Sequence, residues 1–206
     1  MQNASLPFAH LNLRFNPFGE LDRTQRTELA VAEVSPLVPR LKQPGFAVQF
    51  IDEKGCGKTS HMLAIHRYFK SAPYIRVDEG VGLSIPKGNP LFLDEMQRIS
   101  KWRRKVIFRR PVSFVIGSHR DHTSELRKAG VVSRTIIPGD SVDQERLSQI
   151  FQRRIELARR SSGPLPRIPH QTIQKLIGLC GRDVRGMESV LYEAFQNLKE
   201  VGDVKL

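Results

Sequence analysis

Cysteine, acidic residues and long apolar runs are all scarce in this sequence. Only Cys56 and Cys180 occur, without metal-ligand spacing or a disulfide framework, so we interpret both as small apolar side chains in a reducing compartment. No stretch approaches the roughly 18 consecutive apolar residues that span a membrane, and the N-terminus lacks the basic and apolar regions of a secretory signal. The sequence therefore predicts a cytoplasmic protein without a membrane partner.

Basic residues outnumber acidic ones by 33 to 21, which gives a net charge of +12. An excess of this size favours a polyanionic partner such as DNA. Part of it is concentrated in residues 101–110, where six of ten residues are basic and Trp102 lies among them. A solvated helix face is the alternative interpretation. The candidate nucleic-acid contacts are Lys101, Arg103, Arg104, Lys105, Arg109 and Arg110.

A glycine-rich segment follows the first apolar run of the chain. Residues 46–51 predict a buried strand and residues 59–68 a helix, so the segment between them is a strand-to-helix turn, the context that a phosphate-binding loop requires. A chance Gly-Cys-Gly turn before a surface helix is the alternative. The predicted nucleotide contacts are Gly55, Cys56, Gly57, Lys58, Thr59 and Ser60.

Each residue type in this loop has a physical reason to hold a nucleotide. Gly55 and Gly57 allow backbone N–H groups to turn around a phosphate, and the following helix directs its positive dipole end there. Lys58 can reach the outer phosphates, and Thr59 can place its hydroxyl on Mg²⁺. Asp52 stands where the loop signature has its first glycine, and its carboxylate would repel phosphate if it pointed inward.

Adjacent carboxylates follow a second apolar run, residues 91–93. Asp94 can hold Mg²⁺ through water, and Glu95 can act as the base that polarises an attacking water. An ordinary loop start is the alternative for such a pair, but its distance from the glycine loop favours a nucleotide site.

The next predicted strand, residues 112–117, ends at Ser118. This side chain would lie beside the γ-phosphate if its strand lay between those that carry the loop and Asp94; an ordinary polar strand end is the alternative. His119, Asp121 and His122 could also be interpreted as a metal cluster, although they lack a complete ligand set.

Two further short strands are predicted at residues 73–77 and 135–137, and the connection over residues 78–90 is too short for a full crossover helix. From Asp140 the chain is predicted to be helical, with Gly181 ending the second of three amphipathic helices. We therefore expect a nucleotide-binding domain over residues 1–139 and a helical domain over residues 140–206. The apolar stripes are Leu147, Ile150, Phe151, Ile155 and Ala158; Ile173, Leu176, Ile177 and Cys180; and Met187, Val190, Leu191, Ala194, Phe195 and Leu198.

The order of these motifs resembles the AAA+ ATPases over essentially the whole chain. The loop Gly55-Cys-Gly-Lys58-Thr59 looks like Walker A, the run that ends at Asp94-Glu95 looks like Walker B, and Ser118 falls at the sensor 1 position. The resemblance implies ATP and Mg²⁺ as cofactors. It also implies an α/β fold, in which a five-stranded parallel P-loop sheet with the loop strand central is flanked by helices and followed by a small three-helix lid.

Other segments refine the resemblance. Ser133-Arg134 is similar to the Ser-Arg of clamp loaders, which implies an arginine finger that reaches a neighbouring subunit of a homo-oligomer. Gly181-Arg-Asp183-Val-Arg185 looks like sensor 2, which would place Arg185 at the nucleotide. Asn16-Pro17-Phe18 resembles the transposition-helper and secretion-associated branch, in which this segment packs near the adenine, so Pro17 and Phe18 are predicted nucleotide contacts.

Two functions are therefore compatible with the sequence. The first is a Mg²⁺-dependent ATPase that acts on a partner protein or DNA, with Glu95, Arg134, Arg185 and Ser118 as catalytic residues. The second is an ATP-gated binding module with negligible hydrolysis that contacts nucleic acid through its basic patch.

Overall fold

The computed structural model describes residues 7–78 and 84–206. Its α-helices are α1 (Arg23–Leu29), α2 (Val38–Leu41), α3 (Lys58–His66), α4 (Lys101–Phe108), α5 (Thr123–Lys128), α6 (Gln144–Ala158), α7 (His170–Cys180) and α8 (Val184–Asn197). Its strands are β1 (Phe46–Ile51), β2 (Tyr74–Arg76), β3 (Leu91–Asp94), β4 (Phe114–Ser118) and β5 (Val132–Ile136).

The chain forms two compact units, Ala32–Asp140 and Met1–Val31 with Ser141–Leu206. We call them the sheet unit and the helical unit. The expected domain division differs at the N-terminus, because it assigned residues 1–31 to the nucleotide-binding part. The structure instead buries Leu11, Leu13 and Phe18 in the core of the helical unit, where their apolar side chains are removed from water.

The sheet unit contains one five-stranded sheet in the order β2-β3-β4-β1-β5. Every neighbouring pair is parallel, as the sequence predicts. The loop strand β1 lies one place in from the edge, and not at the centre. β4 lies between β1 and β3, so the carboxyl ends of the strands that carry the loop, Ser118 and Asp94 meet at one edge, where parallel sheets bind ligands.

The two faces of this sheet have different partners. Phe114 and Ile116 of β4 point to one face, where they join a core with side chains of α4 and α5 that include Phe108 and Leu126. Side chains alternate along a strand, so Gly117 points to the opposite face. A Cβ atom there would lie 2.6 Å from both the Sδ of Met62 in α3 and an oxygen of Asp94. A larger residue at position 117 would therefore displace the side chains of Met62 and Asp94.

The predicted stripes of the three C-terminal helices form the core of the helical unit. Asp143 and Asp183 begin α6 and α8, because their carboxylates accept hydrogen bonds from the free N–H groups of Arg146 and Gly186. Gly181 ends α7 with a φ of 59°, the left-handed value that favours glycine.

The connection between β2 and β3 is only partly described. Residues 79–83, which the sequence analysis includes in a segment too short for a crossover helix, lie outside the described residues. In the described part, residues 84–90, the chain forms no helix.

Candidate functional site

The glycine loop curls around the amine of Lys58. Gly55 and Gly57 have φ values of 91° and 88°, a region that side chains other than glycine rarely adopt. The Nζ of Lys58 donates to the carbonyl oxygens of Asp52 (2.7 Å) and Glu53 (2.6 Å). Burial lowers the pKa of Lys58, and the carboxylate of Glu95 acts in the opposite direction. The loop thus forms a compact cationic turn at the beginning of α3.

Both oxygens of the Asp52 carboxylate accept hydrogen bonds from backbone N–H groups. Its Oδ1 accepts from the N–H of Glu53 (2.8 Å) and its Oδ2 from the N–H of Gly139 (2.6 Å). These contacts answer the question that the sequence left open, since they direct both oxygens to the protein backbone. They also join the start of the loop to the turn that follows β5.

Asp94 and Thr59 form the oxygen pair that the sequence predicts for Mg²⁺. The Oδ2 of Asp94 accepts from the hydroxyls of Thr59 (2.9 Å) and Tyr74 (3.1 Å), and its side chain is buried. Burial raises the pKa of this carboxyl group, whereas the hydrogen bonds from the two hydroxyls lower it. Carboxylate and hydroxyl oxygens are hard ligands that suit Mg²⁺, so the residues present fit this ion. Sequence reasoning missed Tyr74, which lies on a strand without a recognisable motif.

Glu95 follows in a left-handed conformation with a φ of 63°. Its Oε2 accepts from the side-chain amide of Gln97 (2.7 Å). The Nε of Arg98 and the Nε2 of His119 lie 3.6 and 3.9 Å from the same oxygen. The second oxygen, Oε1, accepts no hydrogen bond from the residues that the structure describes. Glu95 is therefore held by one oxygen and can accept a proton through the other.

Ser118 does not face this group. It shares the face of β4 with Phe114 and Ile116, opposite to Asp94, and its buried hydroxyl lies 3.0 Å from the Nε2 of His122. The next residue, His119, lies beside Glu95 instead. The sequence suggests His119 only as an alternative metal ligand, and the alternation of side chains along the strand is the signal that distinguishes it from Ser118.

His122 and Gln49 form a buried polar cluster behind β4. Burial, and then the nearby guanidinium of Arg104, lowers the pKa of His122. Gln49, the single polar residue of the apolar strand β1, accepts from the N–H of His122 (3.0 Å). Its amide nitrogen, which has two hydrogens to donate, lies within hydrogen-bond distance of the side chains of Asp121, Thr123 and Thr135. Gln49 thus ties β1 to β5 and to the β4–α5 turn.

The six basic candidates of residues 101–110 separate into two groups. Arg104 is paired with Glu125, and Arg110 donates to the carbonyl oxygens of Ile85 and Pro86. Both guanidinium groups are therefore engaged within the sheet unit. On the outer face of α4, the apolar residues Trp102 and Val106 are exposed to solvent over 72% and 52% of their surface. The basic side chains exposed to solvent are Lys101, Arg103, Lys105 and Arg109.

The two predicted phosphate-sensing arginines are both exposed. Arg134 lies on the edge strand β5, opposite Val48 of β1 in the register. Its side chain forms no hydrogen bond or ion pair with any residue in the described part of the chain. Arg185 lies in the first turn of α8. Burial raises the pKa of Glu188 in the same helix, and the charges of Arg154 and then of Arg185 act in the opposite direction.

Pro17 and Phe18 are buried within the helical unit. The Phe18 ring packs edge-on against Phe151, at 5.7 Å between ring centres. Arg154 holds this segment by donating to the carbonyl oxygens of Pro17 (2.8 Å) and Gly19 (2.6 Å), and it forms an ion pair with Glu188. Sequence reasoning missed Arg154, because it lies among several arginines of α6 that look alike in sequence.

The described residues contain neither a second kind of metal site nor a helix that could span a membrane. Within residues 7–78 and 84–206, no group of three or more histidine, cysteine or acidic side chains could hold a metal ion, so His119, Asp121 and His122 do not form the metal cluster considered above. None of the helices in these same ranges has the length and apolar character needed to cross a bilayer.

No protein-family model and no curated protein matches the sequence. Among solved structures, the chain is similar to the RuvB Holliday junction branch migration motor of Thermotoga maritima, with a TM-score of 0.58 and 15% identity over 91% of this chain and 66% of that one. A single-substitution variant of that RuvB has a TM-score of 0.56 at 14% identity, over 90% and 66%. Cdc6p from Pyrobaculum aerophilum has a TM-score of 0.52 at 13% identity, over 91% and 65%.

The chain thus spans just under two thirds of the length of these structures. At such low identity the likeness shows the fold alone. It confirms the expected α/β class, a five-stranded parallel sheet flanked by helices.

Proposed function

We propose that this chain is a Mg²⁺-dependent ATPase of the AAA+ type. The observation that carries the proposal is the hydrogen bond of 2.9 Å between Thr59 and the buried Asp94, formed directly after a loop with two left-handed glycines and a buried lysine. The loop N–H groups and Lys58 would bind the β- and γ-phosphates. Thr59 and Asp94 would hold Mg²⁺, which neutralises charge on the phosphates when it is bound.

Glu95 is the residue best placed to activate water. Its free oxygen would accept a proton as the water oxygen bonds to the γ-phosphorus and the bond to the departing ADP oxygen breaks, so that the products are ADP and phosphate. Gln97 would keep the carboxylate oriented during this step. His119, 3.9 Å from the same carboxylate, would take the place beside the γ-phosphate that the sequence analysis assigned to Ser118.

Arg134 and Arg185 complete the proposal as cations for the charge that develops on the γ-phosphate. The exposed position of Arg134 on an edge strand supports a role across the interface of a homo-oligomer. The motifs at Phe18, Arg134 and Arg185 support a placement of this chain in one branch of the AAA+ ATPases. That branch includes transposition helpers, secretion-associated ATPases and clamp loaders.

One experiment separates binding from turnover. Lys58→Ala should abolish ATP binding, because it removes the cation on which the loop closes. Glu95→Gln should retain nucleotide affinity and lose turnover, because glutamine keeps the contact geometry but cannot accept the proton. Both are measured by equilibrium nucleotide binding and by phosphate release. An equal loss of binding in the two variants would remove Glu95 as the base.

The second candidate is an ATP-gated module that binds nucleic acid with negligible hydrolysis. The contacts of Gln97 and Arg98 with Glu95 favour it, since they leave water only one of the two carboxylate oxygens. So do the four exposed basic side chains of α4 beside Trp102, because cations and an exposed aromatic ring suit a single-stranded nucleic acid. Tight nucleotide binding by a protein that releases no phosphate, with or without DNA, would favour this candidate.

A further inference from the structure

A chain of polar contacts runs from the basic helix α4 to the turn that follows β4. Arg104 binds Glu125 through two hydrogen bonds, from Nε to Oε2 at 2.9 Å and from Nη2 to Oε1 at 2.8 Å. The Nδ1 of His122 lies 3.7 Å from that same Oε1, and its Nε2 lies 3.0 Å from the hydroxyl of Ser118. Oε1 of Glu125 therefore accepts a hydrogen bond from Arg104 but lies too far from Nδ1 of His122 to form one.

The unmet contact at His122 is unusual. Among buried side-chain nitrogen and oxygen atoms of the described residues, Nδ1 of His122 is the one without a hydrogen-bond partner. The His122 side chain is buried, and its ring packs near Phe108 of α4. A buried polar atom without a partner is unfavourable, and a shift of about 1 Å by Glu125 would bring the pair to hydrogen-bond distance.

The turn that these contacts control carries His119. The hydroxyl of Ser118 accepts from the N–H of Arg120 (3.0 Å), and the N–H of His122 donates to the side chain of Gln49 (3.0 Å). Both ends of the turn over residues 118–122 are thus fixed by hydrogen bonds, and the His119 side chain lies beside Glu95 between them.

We propose that Arg104 and His122 compete for Oε1 of Glu125, and that this competition couples an anion bound on α4 to the position of His119 beside Glu95. The inference rests on the proposed ATPase function and on nucleic-acid binding by α4. Lys101 and Lys105 are exposed neighbours of Arg104, three residues before it and one after. A phosphate of a bound nucleic acid at these lysines draws the Arg104 guanidinium away from Glu125, because guanidinium binds phosphate through the same pair of donors.

Release of Glu125 has a defined consequence for His122. The free carboxylate accepts from Nδ1–H, and this tautomer of the ring leaves Nε2 as the acceptor of a hydrogen bond that the Ser118 hydroxyl donates. The turn, whose two ends are already fixed by hydrogen bonds, is then also held through both ring nitrogens of His122, and His119 is kept more firmly in its place beside Glu95. His122 is in this way a positioning residue, and nucleic acid bound to α4 raises the turnover of ATP.

Arg104→Gln tests the competition, because it frees Glu125 permanently. This variant should turn over ATP without nucleic acid at the rate that the parent reaches with a saturating single-stranded oligodeoxynucleotide, and the oligonucleotide should raise its rate no further. We expect the stimulation of the parent to be about fivefold or more, within the range of ordinary allosteric coupling. Arg127→Gln, which removes the same charge from an exposed position of α5, is the matched control and should respond like the parent. Glu125→Gln should lose the stimulation.

The ring nitrogens of His122 give a readout that does not depend on hydrolysis. In ¹⁵N-labelled protein, Nδ1 should acquire the chemical shift of a protonated nitrogen and Nε2 that of an acceptor, both in the parent with oligonucleotide and in Arg104→Gln without it. If Arg104→Gln does not fold, Arg104→Lys, which lacks the second donor, should show an intermediate shift.

The outcomes separate this inference from the proposed function. Ring nitrogens of a folded Arg104 variant that match those of the free parent would overturn the competition, whatever the rate of hydrolysis. Unchanged nitrogens in the parent with bound oligonucleotide would overturn the coupling. A protein that shows the expected shifts but releases no phosphate would retain the competition and lose the ATPase proposal.

Discussion

The hydroxyl of Thr59 donates to Oδ2 of Asp94 across 2.9 Å, although 35 residues separate the two in sequence. This contact joins the first turn of α3 to the end of β3. It places a hydroxyl and a carboxylate at the edge of the sheet where the glycine loop lies. Because Asp94 is buried, the arrangement is unfavourable for an ionised carboxylate without a cation. Features of this kind are typical of functional sites and are retained at a cost in stability.

Replacement of this carboxylate should therefore stabilise the protein in the absence of ligand. Burial raises the pKa of Asp94, so between the unfolded and folded pKa values the folded state binds more protons, and this group lowers the free energy of unfolding as the pH rises. Asp94→Asn should remove this decrease in stability with rising pH, because asparagine does not ionise. The free energy of unfolding of the variant at neutral pH should therefore exceed that of the parent. Urea denaturation over a pH series measures both effects.

The same substitution should weaken binding of nucleotide in the presence of Mg²⁺ by more than about tenfold, which corresponds to ~1.4 kcal/mol. Affinity measured with EDTA should change much less, since the loop and Lys58 remain intact. An Asp94→Asn protein that is less stable than the parent and binds Mg²⁺–ATP normally would show that this carboxylate serves the fold and not the ion.

A second expectation concerns Asp52. Its carboxylate accepts from two backbone N–H groups, one of them on Gly139. Asp52→Ala should lower the free energy of unfolding by about 1.5–3 kcal/mol, the range for hydrogen bonds to a charged group. Asp52→Asn, which keeps one acceptor oxygen, should lose about half as much. Chemical denaturation of the two variants provides the comparison.

Nucleotide affinity is the control for this interpretation. Because the carboxylate points to the backbone, Asp52→Asn should bind ATP with an affinity within about twofold of the parent, a difference of less than ~0.5 kcal/mol. Much tighter binding by Asp52→Asn would mean that the negative charge acts on the phosphates.

The parts of the fold that depend on local patterns could be predicted from the sequence. The apolar run of β1, the glycines of the loop and the stripe that contains Leu147 and Phe151 are signals within short windows, and the structure places each in the expected element. Asp94 also lies at the end of its predicted strand.

The parts that depend on tertiary contacts could not be predicted. Gln49 is a polar residue in an apolar strand, and its purpose becomes clear only when β5 and the β4–α5 turn lie beside it. Ser118 and His119 differ by one position, so a strand register decides which of them faces Glu95. Arg154 contacts residues about 135 positions away, a separation at which sequence patterns carry no information about pairing.

A third expectation concerns Arg134. This arginine is exposed on the edge strand β5, so its replacement by alanine should leave stability within about 0.5 kcal/mol of the parent. If it acts on the nucleotide of a neighbouring subunit, Arg134→Ala should lower turnover by at least about 10³-fold, as for arginine fingers, without weakening nucleotide affinity.

Mixing provides the control for this role. Arg134→Ala subunits keep Glu95, and Glu95→Gln subunits keep Arg134, so a mixture should recover part of the activity at shared interfaces. Phosphate release is measured for each protein alone and for the mixture. Full activity of the parent as a monomer at high dilution would show that Arg134 has no role across an interface.

The last expectation concerns the exposed basic face of α4. If Lys101, Arg103, Lys105 and Arg109 contact phosphates, binding to single-stranded DNA should vary little with sequence and should fall steeply as salt rises, because each neutralised phosphate releases counterions. Arg103→Ala combined with Lys105→Ala should weaken binding and reduce the slope of log K against log salt by about 1.4, or ~0.7 for each contact. Arg127→Ala combined with Lys128→Ala removes the same charge from α5 and should leave the slope nearly unchanged. Equal slopes for the two double variants would mean that overall charge, and not the face of α4, attracts the nucleic acid.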